Sequence, residues 1–135
     1  MRSLMLVPLL AVAACTQTPA ETARAAQSAQ TAQIKLDKAL SGLTRGATSS
    51  CIPTIYPSAQ SEAFGRTILY RVSRSLVYRT DTAGGCEGLA HGDTLVTRQF
   101  QDRPCRGDIA TTVNPLSRTF TGTCSFGDFT EYRRR

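Results

Sequence analysis

The stretch 66–81, RTILYRVSRSLVYRTD, decides the fold. Ile68, Tyr70 and Val72 alternate with Leu69 and Arg71, the two-residue period of a pleated strand whose faces differ. After Ser73-Arg74-Ser75 a second β-branched and aromatic run begins at Leu76, and so short a connection predicts a hairpin. The same texture continues toward the C-terminus in DTLVTRQF (93–100), DIATTVN (108–114) and RTFTGTCSFGDF (118–129), with Gly, Pro, Asp and Asn clusters between them. Phe120, Gly122, Cys124 and Phe126 fall on one face of the last run. The expectation is a mainly β domain over 51–135, a small antiparallel barrel or sandwich of five or six strands.

Upstream of Cys51 the texture changes. Residues 16–48 are rich in Ala, Gln and Thr and contain no aromatic residue. Thr18-Pro19-Ala20-Glu21 reads as a helix start: Thr18 caps, Pro19 occupies the first position, where no amide is needed, and Glu21 closes a capping box. Ala25, Ala29, Ala32, Leu36, Leu40 and Leu43 then recur at helical spacing, Gly42 is a stop, and Gly46 with the residues after it marks a loop. A helix over 19–41 would be about 35 Å long. Its last turns, where leucine replaces alanine, are expected to dock on the domain, while its first part serves as a tether. Sustained heptads are absent, which argues against a coiled coil.

The first residues carry a different message. Arg2 is followed by the apolar run 4–12, the length of a secretory h-region and about half of the roughly 20 residues that a membrane-spanning helix needs. Ala11-Val12-Ala13 could serve an ordinary signal peptidase, whereas Val12-Ala13-Ala14-Cys15 resembles the lipobox of bacterial lipoproteins. In that family the Cys15 position receives a diacylglycerol and becomes the N-terminus. The abrupt polar switch after Cys15 and the odd total of five cysteines favour the lipobox, dividing the chain into a signal peptide (1–14), a lipidated tether (15–50) and the β-domain. Resemblance to lipoproteins of diderm bacteria implies the periplasmic face of the outer membrane, since Thr16 rather than aspartate follows the cysteine. Several acyl chains make such an anchor stable where one is marginal.

Export places Cys51, Cys86, Cys105 and Cys124 in an oxidising compartment, where two disulfides are expected. Their closest spacing is nineteen residues, which argues against a Cys-x-x-Cys zinc or redox site. Of the three possible connectivities, Cys105–Cys124 across a hairpin turning at Asn114-Pro115 is favoured, leaving Cys51–Cys86.

The net charge is +6, and arginine supplies all but two of the 16 basic residues, Lys35 and Lys38 being the exceptions. The arginines are scattered, and only Arg133-Arg134-Arg135 forms a run, so a solvated surface is the simpler reading than a nucleic-acid interface, and no nucleic acid is expected. His91, the only histidine, stands beside Asp93 and could form a general-base pair. No nucleophile signature accompanies it. Arg106-Gly107-Asp108 is an adhesion tripeptide by composition, but three residues recur too readily by chance to carry weight. Asp93, Asp102 and Asp108 are scattered carboxylates with no glycosidase pairing legible in them. No catalytic residue, metal ligand set or cofactor motif is assigned.

The segments CIPTI, ILYRV, LVYRT, CEGL, CRGDI and CSFGDFTEYRR, taken together from Cys51 to Arg134, resemble small uncharacterised proteobacterial lipoproteins with a polar linker and a cysteine-containing β-domain. That family implies one structural unit around the four cysteines and no activity. The resulting expectation is a non-enzymatic envelope lipoprotein, held to the bilayer through acylated Cys15 and binding an envelope protein or polysaccharide. The alternatives are an inhibitor of an envelope or host hydrolase such as lysozyme, and, more weakly, a small enzyme using His91 and Asp93.

Overall fold

The computed structural model describes residues 18–54 and 56–135. Cys15 and the rest of 1–17 lie outside the described residues. One helix, α1 (Pro19–Leu40), precedes seven strands: β1 (Thr44–Ser49), β2 (Gln60–Phe64), β3 (Thr67–Ser73), β4 (Leu76–Gly84), β5 (Thr94–Arg98), β6 (Ile109–Val113) and β7 (Phe120–Arg133). A 3₁₀ turn, Glu87–His91, lies between β4 and β5. The strands form one antiparallel sheet in the order β2-β3-β4-β7-β6-β5, curled into a half-barrel, with β1 also on β7. Of the two architectures expected, the sandwich is therefore excluded, and two strands are added to the five legible runs.

The helix begins as its capping residues dictate. Thr18 Oγ1 accepts the Glu21 amide at 3.3 Å, and Glu21 Oε2 accepts the Thr18 amide at 2.8 Å. Of the apolar stripe, Ala25 and Ala29 are exposed, Leu36 is fully buried, and Leu40 and Leu43 are half-buried. Leu36 packs with Leu69 and Val77 on the outer face of β3 and β4, beside Tyr132. The leucine-bearing turns thus dock, and the alanine-bearing turns do not, because an alanine side chain buries too little area to hold a helix.

The concave face holds the larger core, in which Ile52, Ile68, Tyr78, Ala110, Cys124, Phe126 and Phe129 are buried. Tyr70, Phe126 and Phe129 form an aromatic triangle with ring centroids 5.9–6.1 Å apart, mostly edge-on or tilted. Phe126 and Phe129 are three residues apart and could not both face inward on a regular strand. A bulge reconciles them: Thr80 pairs with Phe129 and Thr82 with Phe126, so Gly127 and Asp128 together oppose Asp81. A Cβ on Gly127 would stand 2.7 Å from the Asp81 carbonyl oxygen, so the bulge requires glycine. Burial pushes the Tyr70 phenol up to about 12.

The disulfides are Cys51–Cys105 and Cys86–Cys124, which corrects the pairing expected from the hairpin. The hairpin itself is present, since β6 and β7 turn at residues 114–119. Its register, however, sets Ala110, not Cys105, opposite Cys124. Cys105 precedes the strand and forms an isolated bridge with Cys51. The β4–β7 ladder ends with Gly84 beside Cys124, which brings Cys86 within reach. With sequence separations of 54 and 38 residues, each bridge stabilises by about 4 kcal/mol on the chain-entropy model.

The segment expected to be a loop after Gly46 is instead part of β1, paired with β7 from Thr44↔Arg133 to Ser49↔Phe129. All six β1 residues are exposed, so no hydrophobic alternation announces the strand, and its backbone pairs because β7 leaves an edge open there.

Replacing Leu36 with alanine removes the one fully buried helix side chain. Leu36→Ala is expected to cost about 2–5 kcal/mol in urea unfolding and to raise amide exchange through the last turns of α1. A loss under about 0.5 kcal/mol would show that the helix is not docked.

Candidate functional site

A groove of about 780 Å³ lies between α1, β2 and the 3₁₀ turn. Its helix wall is a polar stripe, Arg24, Gln27, Ser28, Thr31 and Lys35, spaced i, i+3, i+4, i+7 and i+11 and so aligned on one face. The opposite wall combines Glu62 of β2 with Leu89 and His91 of the turn. The floor is small: a Cβ on Gly65, whose φ is +60°, would stand 3.5 Å from the Ala32 Cβ, so the β2–β3 turn lets the helix approach closely. Glu62 lies 3.7 Å from Arg71. Arg24 and Lys35 therefore leave the groove with a positive helix side.

His91 and Asp93 are close in sequence but have separate partners. His91 Nδ1 lies 3.1 Å from the Glu87 carbonyl oxygen, to which it donates as a protonated ring nitrogen. Asp93 is buried and turned the other way. Its Oδ2 accepts the Thr121 hydroxyl at 2.6 Å, with the Thr112 hydroxyl 2.9 Å behind, and its Oδ1 accepts the Asn114 amide at 3.4 Å. Asp93 thereby ties the 3₁₀ turn to the β6–β7 hairpin. A Cβ on Gly88 would collide with this carboxylate, so the turn depends on glycine there.

Arg106-Gly107-Asp108 forms part of the frame. Asp108 is buried, its Oδ2 accepts the Cys105 amide at 2.8 Å, and its carbonyl accepts the Phe126 amide at 3.1 Å. Arg106 pairs with Asp128 at 3.2 Å. Asp102 is exposed, 4.0 Å from Arg103 Nε. Asp93, Asp102 and Asp108 share no partner. Among the described residues no three His, Cys, Asp or Glu side chains gather as a metal site, and no helix is long and apolar enough to cross a membrane.

Three further features were not legible as sites. At the rim of the half-barrel a hollow of about 150 Å³ lies between Ile52, Tyr56, Tyr70 and Pro104. At the β6–β7 turn Leu116 is 93% exposed, although its backbone is held firmly. Asn114 Oδ1 accepts the amides of Leu116 and Ser117 at 3.0 Å each, and Arg118 sits at φ +56°. Near the other end of β7, Tyr78 donates to Glu131 at 3.4 Å, and Arg133 holds the same carboxylate at 3.0 Å. Arg133 keeps the Glu131 carboxyl below its usual range, whereas burial raises the Tyr78 phenol.

No family model, curated protein or solved structure matches the chain. The arrangement must be read from its own chemistry.

The groove had a signal in the sequence: the polar residues 24, 27, 28, 31 and 35 recur at helical spacing as regularly as the alanines do. What that face meets depends on where α1 lies against β2, which no helix pattern specifies.

The opposite environments of His91 and Asp93 predict opposite mutational outcomes. Asp93→Ala leaves the Asn114 amide and a chain of hydroxyls unsatisfied and is expected to cost about 1–3 kcal/mol in urea unfolding. His91→Ala, at an exposed position, should stay within about 0.5 kcal/mol. The reverse order would mean that the histidine, not the carboxylate, holds the turn.

Proposed function

We propose that this protein is a non-enzymatic lipoprotein of the bacterial envelope, anchored through an acylated Cys15, whose β-domain and docked helix form a binding module. The observation that carries this reading is the way reactive groups are used. The four domain cysteines are joined in pairs, Asp93 and Asp108 are engaged by hydroxyls and amides, and His91 is tied to a carbonyl oxygen. Beside them lies an open, cationic-sided groove of a size that suits a small ligand or a polymer segment. Two disulfides suit an oxidising compartment. A docked helix whose residues 19–31 are exposed suits a tether running back to an anchor.

Expression of the full chain in a diderm bacterium tests the anchor. Labelled palmitate should enter the protein and be lost in Cys15→Ala, and the variant should move from the membrane to the soluble periplasmic fraction. An unlabelled chain, or one that stays in the membrane after the substitution, would overturn the lipoprotein reading.

A second reading, inhibition of an envelope or host hydrolase, is favoured by the β6–β7 turn, where an exposed Leu116 rides on a hydrogen-bonded loop beside Arg118. Such a loop enters a cleft with little loss of conformational freedom. In titrations against a panel of lysozymes and other envelope hydrolases, this reading expects micromolar inhibition that weakens at least tenfold in Leu116→Asp. No inhibition across the panel would remove it.

A further inference from the structure

One end of the half-barrel gathers arginines from two separate parts of the chain, the β3–β4 turn and the end of β7. Thr44, Arg133 and Leu76 stand in one cross-strand row, and Arg45, Tyr132 and Val77 in the next. The Arg134 amide donates to the Ser75 carbonyl at 2.9 Å, which lays the end of β7 against the β3–β4 turn carrying Arg74. Arg45, Arg74, Arg133, Arg134 and Arg135 are all exposed. The acid tied into this group is Glu131, held by Arg133 at 3.0 Å. Arg74, Arg133, Arg134 and Arg135 against that carboxylate place three of the chain's six net positive charges at one end, whereas Arg45, one row on, faces the other side of the sheet and lines a hollow with Arg79, Asp81 and Asp128. In sequence only three of those four arginines are neighbours.

The helix gives this end a direction. Leu36, Leu40 and Leu43 pack toward Val77 and Tyr132, whereas Ala32 lies against Gly65 in the β2–β3 turn, at the opposite end of β3. From Ala32 the helix continues back to Pro19, about 20 Å farther from the arginines. Adding the length of β3, the start of α1 and the arginine end lie about 40 Å apart. A protein held by residues before Thr18 therefore presents the arginines away from its point of attachment.

We infer that this arginine end is a docking surface for a carboxylate-bearing cell-wall polymer, peptidoglycan, lying beyond the membrane that holds the protein. The inference rests on the envelope reading above and supplies its partner. Guanidinium groups pair with carboxylates in two-pronged, charge-assisted contacts, and several on one surface bind a repeating polyanion additively. The lipid headgroups of the anchoring membrane lie at the opposite end. Among the described residues, none of the exposed large apolar side chains, Ile34, Val96, Phe100, Ile109, Leu116 and Phe120, belongs to the arginine end, so it lacks the means to insert into a bilayer. The aromatic residues near it are covered: Tyr132 is half-buried beside the helix, Tyr78 is buried and donates to Glu131, and Tyr56 is half-buried and stacked on Tyr78, which removes the open stacking platform that single-stranded nucleic acid uses.

The test is co-sedimentation of the full-length protein, in mild detergent, with purified peptidoglycan sacculi. Wild type should pellet with sacculi at 50 mM salt and progressively less as salt is raised. The triple variant Arg74→Gln, Arg134→Gln, Arg135→Gln should bind at least tenfold more weakly with an unchanged near-ultraviolet circular dichroism spectrum, whereas Arg98→Gln on exposed β5 should bind as wild type does. No pelleting at low salt, or a triple variant that pellets fully, overturns the inference, as does retention on anionic phosphatidylglycerol vesicles in preference to sacculi. Repeating the assay with Cys15→Ala separates the two readings. Arginine-dependent pelleting by a chain that carries no acyl group upholds the docking surface and overturns the anchor, while an acylated chain that ignores sacculi does the reverse.

Discussion

A single strand, β7, has to satisfy hydrogen bonds along both of its edges, and the remainder of the domain is arranged to let it. Along one edge β4 pairs from Cys124 to Arg133. The other edge is too long for any one neighbour, so β6 covers 120–125, the turn at Gly107 and Asp108 bonds to Phe126, and β1 covers 129–133. A buried backbone group left unpaired costs as much as a lost hydrogen bond, so each of these segments is recruited whatever its side chains prefer. This explains why the exposed, glycine-containing β1 is a strand and why the adhesion-like tripeptide is internal framework. The Cys51–Cys105 bridge joins the two segments that share this edge, and Cys86–Cys124 ties β7 to the end of β4. The bulge at Gly127 and Asp128 sets the phase that sends both Phe126 and Phe129 inward.

The helix uses a different economy. Its start is defined locally by Thr18, Pro19 and Glu21, and its end is secured by one buried leucine with two half-buried ones. Between them the helix makes little apolar contact and instead faces the groove with Arg24, Gln27, Ser28, Thr31 and Lys35. Docking at one end alone gives the molecule polarity. The helix starts at one end, and the arginines of the β3–β4 turn and β7 are displayed at the other. For the proposed tethered module this separation decides what a fixed protein can reach.

Much of this was legible residue by residue. The alternation of 68–72, the connection at 73–75 and the capping residues at 18–21 each correspond to a local conformational preference, and α1, β3, β4, β5, β6 and β7 are present where those patterns lie. The disulfide partners were not legible. A hairpin can be read from its turn, but its register cannot, and a five-residue offset between Cys105 and Ala110 was enough to change both pairings. His91 and Asp93 are two positions apart in the chain and suggested a pair, yet the glycine between them, Gly92 at φ +96°, turns them toward different neighbours.

The sequence by itself determined the class of fold, the helix and its caps, the use of the four domain cysteines as disulfides, and the lipobox resemblance at Cys15, because each follows from composition or from contacts a few residues apart. Only the tertiary structure decided that the sheet curls into a half-barrel, which cysteines join, that β1 exists, and that Arg74 stands beside Arg133-Arg134-Arg135. Those outcomes come from pairing between residues 30 to 90 positions apart, where the edges of β7 choose their partners and no local preference does.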